Sequence, residues 1–146
     1  MTRLRSRASL LALLALTLTS CVTRTAGNTE MAGVAPQLSV ERFLQAANER
    51  DFEAMGRVFG THDGPIKGER RELELRMSAI AEILEHQDYQ ITSQQREAGW
   101  EYPTTRVMVS LIKDGREIKN IPFLVVATSD GGWLVEEVDL ALITRG

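Results

Sequence analysis

Residues 104–143, TTRVMVSLIKDGREIKNIPFLVVATSDGGWLVEEVDLALI, contain three apolar runs separated by two turn signals. Thr104 to Lys113 is rich in Val, Leu and Ile, and Lys113-Asp114-Gly115-Arg116 centres on an Asp-Gly pair. That pair suits a type I′ hairpin turn, because both central residues must take positive φ. Glu117 to Thr128 then returns, with Pro122 implying an edge or a bulge, since proline has no N–H to give a ladder. Ser129-Asp130-Gly131-Gly132 is a second turn, and Trp133 to Ile143 reads as the last strand. Upstream, Asp88 to Glu97 is polar with a period of two. The expectation is an antiparallel meander of four strands.

Before the strands the period is helical. Ser39 is a plausible N-cap for a helix carrying Val40, Phe43, Leu44 and Ala47 on one face and Glu41, Arg42, Glu49 and Arg50 on the other. Asp51 can cap a short second helix with Phe52, Met55 and Phe59, ended by Gly60. Thr61 to Gly68, holding His62, Asp63, Gly64 and Pro65, reads as an irregular loop. From Glu69 a longest helix follows, with a stripe of Leu73, Met77, Ile80 and Leu84 broadened by Leu75 and Ile83. A sheet with one apolar face needs a cover, so the helices should pack across it in a two-layer α+β domain.

The N-terminus has a different character. Arg3, Arg5 and Arg7 precede an apolar run from Leu10 to Leu18, and no acidic residue occurs before Glu30. The run is shorter than the roughly 20 residues a permanent span needs, and the order of basic, apolar and small residues is that of a signal peptide. Leu18-Thr19-Ser20-Cys21 resembles the lipobox of bacterial lipoproteins, in which a branched apolar residue, two small ones and a cysteine are read by the diacylglyceryl transferase and the lipoprotein signal peptidase. The resemblance implies a cleaved segment 1–20, a lipidated Cys21, and anchoring to a membrane without spanning it. Val22 in place of aspartate favours the outer membrane's periplasmic leaflet over the inner membrane. Cys21 is the chain's single cysteine, so it has no partner for an internal disulfide.

Cleavage takes the formal charge from −3 to −6, because three arginines and no acids are removed. An acidic domain argues against nucleic acid as partner. Residues 21–36 are mostly small and polar, bury too little to offset the entropy of ordering, and read as a tether to a domain over 37–146.

Val40-Glu41-Arg42-Phe43-Leu44-Gln45-Ala46-Ala47, followed by Asp51-Phe52-Glu53-Ala54-Met55 and, near the end, Asp130-Gly131-Gly132-Trp133-Leu134-Val135, bracket the domain. In these stretches it resembles the nuclear transport factor two-like superfamily, also called SnoaL-like, of cystatin-like, cone-shaped α+β domains. The resemblance implies N-terminal helices on a curved antiparallel sheet of about four strands, with a short extra strand between the second and third helices that only Ile66 suggests. Members include isomerases, dehydratases and partner-binding modules, so the resemblance fixes no activity.

The candidate chemical groups are His62 with Asp63, His86 with Asp88, and Glu137 with Asp139. In cone-shaped enzymes an Asp or His in the pocket between sheet and helices acts as general base. Each pair also has a structural reading. Asp63 can organise the Gly64-Pro65 bend, and His86 lies where a helix C-terminus favours a cation. Strand spacing puts Glu137 and Asp139 on one face with Trp133, Val135, Ala141 and Ile143, a face that is solvated by default because a buried unpaired carboxylate is costly. With two histidines and no ligand spacing, no metal or cofactor is expected. The resulting reading is a lipid-anchored envelope domain that binds a small apolar ligand or an envelope protein without chemistry. The alternative is an isomerase- or hydrolase-like enzyme.

Overall fold

The computed structural model describes residues 35–145. The expected signal peptide, Cys21 and the tether up to residue 34 lie outside the described residues. Helix α1 spans Pro36–Glu49, with Ala35 as N-cap. Pro36 fits the helix start, where its fixed φ is already helical and its missing N–H would have had no partner. Ser39 is therefore not the cap: it lies in the first turn, fully buried, and its hydroxyl donates to the Trp133 carbonyl at 2.7 Å. Val40, Phe43, Leu44 and Ala47 are buried as their spacing predicts.

Arg50 closes α1 at φ 54°, with its own N–H on Ala47 O at 3.1 Å and the Asp51 N–H on Ala46 O at 2.9 Å. This is a Schellman closure with arginine in the left-handed position. Asp51 then caps α2, Phe52–Arg57, accepting from Ala54 N at 2.9 Å. The cap on α2 is as expected for Asp51; its N–H also helps to close α1.

The stretch after α2 is more ordered than an irregular loop. Strands β1, Gly60–Thr61, and β2, Gly64–Pro65, pair antiparallel with His62 and Asp63 at the tip. Gly60 does not end a helix: it lies in β1, where a Cβ would collide with the Gly64 carbonyl oxygen. Phe59 forms a parallel bridge to Val135, the Val135 N–H donates to Val58 O at 2.9 Å, and the Ile66 N–H to Phe59 O at 2.8 Å. Between α2 and α3 the described residues thus hold two strands of two residues each, and Ile66 lies outside both, just after β2.

Helix α3, Arg70–Leu84, is the longest of the described helices. Met77, Ala81 and Leu84 are buried. Leu75 does not broaden the stripe; it is 66% exposed, because two residues from Met77 is a rotation of about 200°.

Strands β3 (Asp88–Glu97), β4 (Thr104–Lys113), β5 (Arg116–Ala127) and β6 (Trp133–Val138) form an antiparallel sheet in that order. Asp114 at φ 52° and Gly115 at 72° match the I′ expectation. Each neighbouring pair carries a register shift: at Ile91/Ser93, at Val109/Leu111 opposite Asn120 (φ 58°), and at Leu124/Val125. Bulges bend a strand and increase its twist, so together they curve the sheet around the helices. The inner face carries Val107, Val109, Leu111, Ile121, Phe123 and Val125, all fully buried with α1 and α3 residues in one core.

Two expectations about this sheet need correction. Pro122 lies in β5, between β4 and β6, so the edge alternative fails, while the bulge alternative is met by the register shift at Asn120, two residues before it. The Pro122 C=O faces the β6 side, accepting from Asp139 N at 3.3 Å. In extended backbone the N shares that side, just beyond the last β6 partner, Val138 opposite Phe123, so no ladder bond is lost. Nor does the last strand reach Ile143: it stops at Val138, and residues Leu140–Thr144 form a helix, α4, that buries Ile143.

Candidate functional site

His62 sits at the β1–β2 tip, half-buried. Its Nδ1 lies 2.6 Å from the Ala127 carbonyl. A carbonyl only accepts, so Nδ1 carries a proton and donates it. The ring stacks on Tyr102 with centroids 3.6 Å apart and planes 2° from parallel. The Ser129 N–H donates to the His62 carbonyl at 3.2 Å, and the Ala127 N–H to Pro103 O at 2.9 Å. His62 therefore clasps the small hairpin to the β5–β6 turn and the β3–β4 loop. Glu101, by its charge and a hydrogen bond, and to a lesser extent burial and the charge of Asp63, hold the Tyr102 phenol above its ordinary value.

His86 is at the α3–β3 junction. Nδ1 donates to Leu84 O at 2.8 Å, satisfying a helix-end carbonyl. Asn48 of α1 accepts from His86 N at 3.1 Å and donates to His86 O at 2.9 Å, a side-chain amide paired with backbone like a strand partner. Its Nδ2 also stands 3.3 Å from Nε2. Asp88 accepts from Tyr89 N at 2.8 Å.

Glu137 and Asp139 are not brought to one face. The bulge at Glu136 breaks the alternation between Val135 and Glu137, and Asp139 leaves the sheet to cap α4, accepting from Leu142 N at 3.3 Å. Ala141 and Ile143 belong to α4, not to the Trp133 face. Glu137 is exposed. Sequence spacing passed over Glu136, the half-buried residue at the bulge, whose carboxyl is pushed up by burial and then by Glu137. The three pairs of candidate groups thus occupy separate parts of the fold. Among the described residues no three or more His, Cys, Asp or Glu are grouped so as to hold a metal ion.

Phe43, Leu44, Met55, Met77, Leu84 and Phe123 fill the space between helices and sheet, each fully buried. Two concave features among the described residues lie beside α2. One groove of about 590 Å³ runs between α2, the turn after β2 and the start of α3, and another of about 410 Å³ between α1 and α2. Phe52, Ile66 and Leu73 give the larger groove its apolar wall, with Arg50, Arg57 and Arg70 on its border. Arg57 borders both grooves, donating from Nη1 to Glu53 at 2.7 Å, while its Nε is buried without an acceptor. The one signal for this place in the sequence is Gly56 inside a short helix.

The chain matches no family model and no curated protein. None of the described helices is long and apolar enough to cross a membrane.

Proposed function

We propose that the chain is a lipid-anchored cell-envelope protein. Residues 1–20 are its signal peptide, Cys21 is its acylated residue, and a nuclear transport factor two-like domain binds a ligand or an envelope protein without chemistry, on the periplasmic side and at the outer membrane. Helices over an antiparallel sheet curved by bulges support the cone-shaped assignment. The observation carrying the non-catalytic reading is the packed interior: where a cone-shaped enzyme would open its pocket, Phe43, Met77 and Phe123 meet with no exposure. His62, His86 and Asp139 are moreover each engaged with backbone groups. The anchor rests on Leu18-Thr19-Ser20-Cys21 after an arginine-led apolar run.

Two measurements on cells producing the full chain test this. A fatty-acid analogue should label the wild type and not Cys21→Ser, which should also accumulate as unprocessed precursor; equal label on both overturns the anchor. Photo-cross-linking from residues of the two grooves should capture discrete envelope components. Turnover of a small-molecule panel that is lost in His62→Ala or Glu136→Gln would overturn the non-catalytic reading.

A further inference from the structure

The larger groove beside α2 has one wall that packing does not explain. Gly56 lies inside α2, where glycine is less favourable than alanine because it surrenders more backbone freedom. Its φ is not in the left-handed region, and a Cβ built there meets nothing within 4 Å. Neither conformation nor crowding therefore demands glycine. What its missing side chain does provide is an open wall on the groove.

The groove has two chemical parts. Phe52, Pro65, Ile66 and Leu73 are apolar, while Arg57 and Arg70 stand at its border. Three acids, Asp51, Glu53 and Glu74, also line the groove; Asp51 is engaged by the Ala54 N–H and Glu53 by Arg57, while Glu74 lies on the α3 side. Arg57 keeps one donor, Nε, away from water and without an acceptor. A desolvated donor of this kind gains most from a charged acceptor. The volume, about 590 Å³, is that of a small-molecule site.

We propose that this groove binds a fatty-acid-type amphiphile, its aliphatic chain passing Gly56 over Phe52, Ile66 and Leu73 and its carboxylate held by Arg57 and Arg70. This deepens the binding reading above and rests on it. Guanidinium groups select an anion, the apolar wall selects a chain, and the absent side chain at position 56 lets that chain approach the helix backbone. A free fatty acid and a lysophospholipid both present an acyl chain with an anionic head, so both serve as probes.

The test uses the full-length protein in lipid nanodiscs, photolabelled with a diazirine analogue of laurate in competition with laurate, lysophosphatidylglycerol or dodecanol. Saturable label should fall on peptides covering residues 52–57 and 65–74. Gly56→Leu, which fills the open wall, should weaken laurate competition by about tenfold or more, with helix content unchanged. Gly56→Ala should raise the melting temperature while weakening binding less. Arg57→Gln combined with Arg70→Gln should weaken laurate and leave dodecanol unaffected. Stronger competition by laurate than by the lysophospholipid makes a free acid the occupant, and the reverse makes it a lipid. Label without saturation, label outside these peptides, or indifference to Gly56→Leu overturns the proposal. Capture of envelope components by cross-linking uses no fatty acid, so the broader binding reading fails or stands separately.

Discussion

The imidazole of His62 lies flat against the ring of Tyr102, 3.6 Å between centroids, while its Nδ1–H holds the Ala127 carbonyl. Three segments remote in sequence meet at this one side chain: the β1–β2 tip, the loop before β4 and the end of β5. His62→Ala should therefore destabilise by about 1–3 kcal/mol, adding a stacking contribution of about 0.5–1.5 to a hydrogen bond of similar size. A double-mutant cycle with Tyr102→Ala, read by urea denaturation, should return a coupling of about 0.5 kcal/mol or more. Additive effects would mean that the stacking contributes nothing. Hydrogen exchange at Ser129, whose amide bonds the His62 carbonyl, should accelerate in the same variant.

Arg50 holds a left-handed backbone that favours glycine. Arg50→Gly should stabilise by about 0.5–1 kcal/mol, less whatever the exposed ion pair with Glu85 at 3.3 Å contributes, which for such pairs is about 0–1 kcal/mol. Arg50→Ala loses the pair and keeps the strain, so it should melt below Arg50→Gly. Wild type melting above Arg50→Gly would show that the pair outweighs the backbone, and Arg50→Ala melting above Arg50→Gly would show that the left-handed φ carries no strain.

Asp139 acts as a helix cap. Asp139→Ala should cost about 1 kcal/mol, whereas Asp139→Asn should stay within about 0.5 kcal/mol, because asparagine caps as well as aspartate. Chemical denaturation of the two variants checks this. An equal, large loss in both would point to a buried charge instead of a cap.

Two carboxyls should respond to acid in opposite directions. Asp130 is held below its ordinary range, first by the Thr128 hydroxyl and then by the Gly132 N–H, so ionised Asp130 stabilises the fold above the ordinary carboxylate range, and that contribution is lost as pH falls through its lowered folded value. Glu136 is pushed up by burial, so its ionisation favours the unfolded chain at neutral pH, and this cost disappears once the pH lies below the ordinary glutamate value. Glu136→Gln should accordingly stabilise at neutral pH and not in strong acid, while Thr128→Val should destabilise at neutral pH and progressively less on acidification. Urea midpoints measured at several pH values read both signs.

Periodicity and turn chemistry alone carried the helix-then-meander order. The Asp114-Gly115 turn, the Asp51 cap, the buried face of α1 and the antiparallel strand sequence all follow from rules acting within a few residues. The same local rules placed Leu75 in the core and ran the last strand to Ile143. They could not see that α3 presents a narrow stripe, that a bulge at Glu136 breaks the alternation, or that the strand ends at Val138 and Asp139 caps α4. Ser39 looks like a cap by the same local rules, because only folding brings the Trp133 carbonyl, 94 residues away, within 2.7 Å of its hydroxyl.

The sequence by itself determined the arginine-led apolar segment before Cys21, the acidic balance, and the supply of helices and strands, since each is a property of neighbouring residues. Tertiary structure alone decided where chemistry could gather. It parted His62, His86 and Glu137, packed the space between the layers, and opened grooves beside α2 next to a glycine that no contact requires. The physical reason is range: propensity and periodicity act over a turn or a hairpin, whereas cavities, clasps and orphaned donors arise where segments distant in sequence fail or manage to fill the space between them.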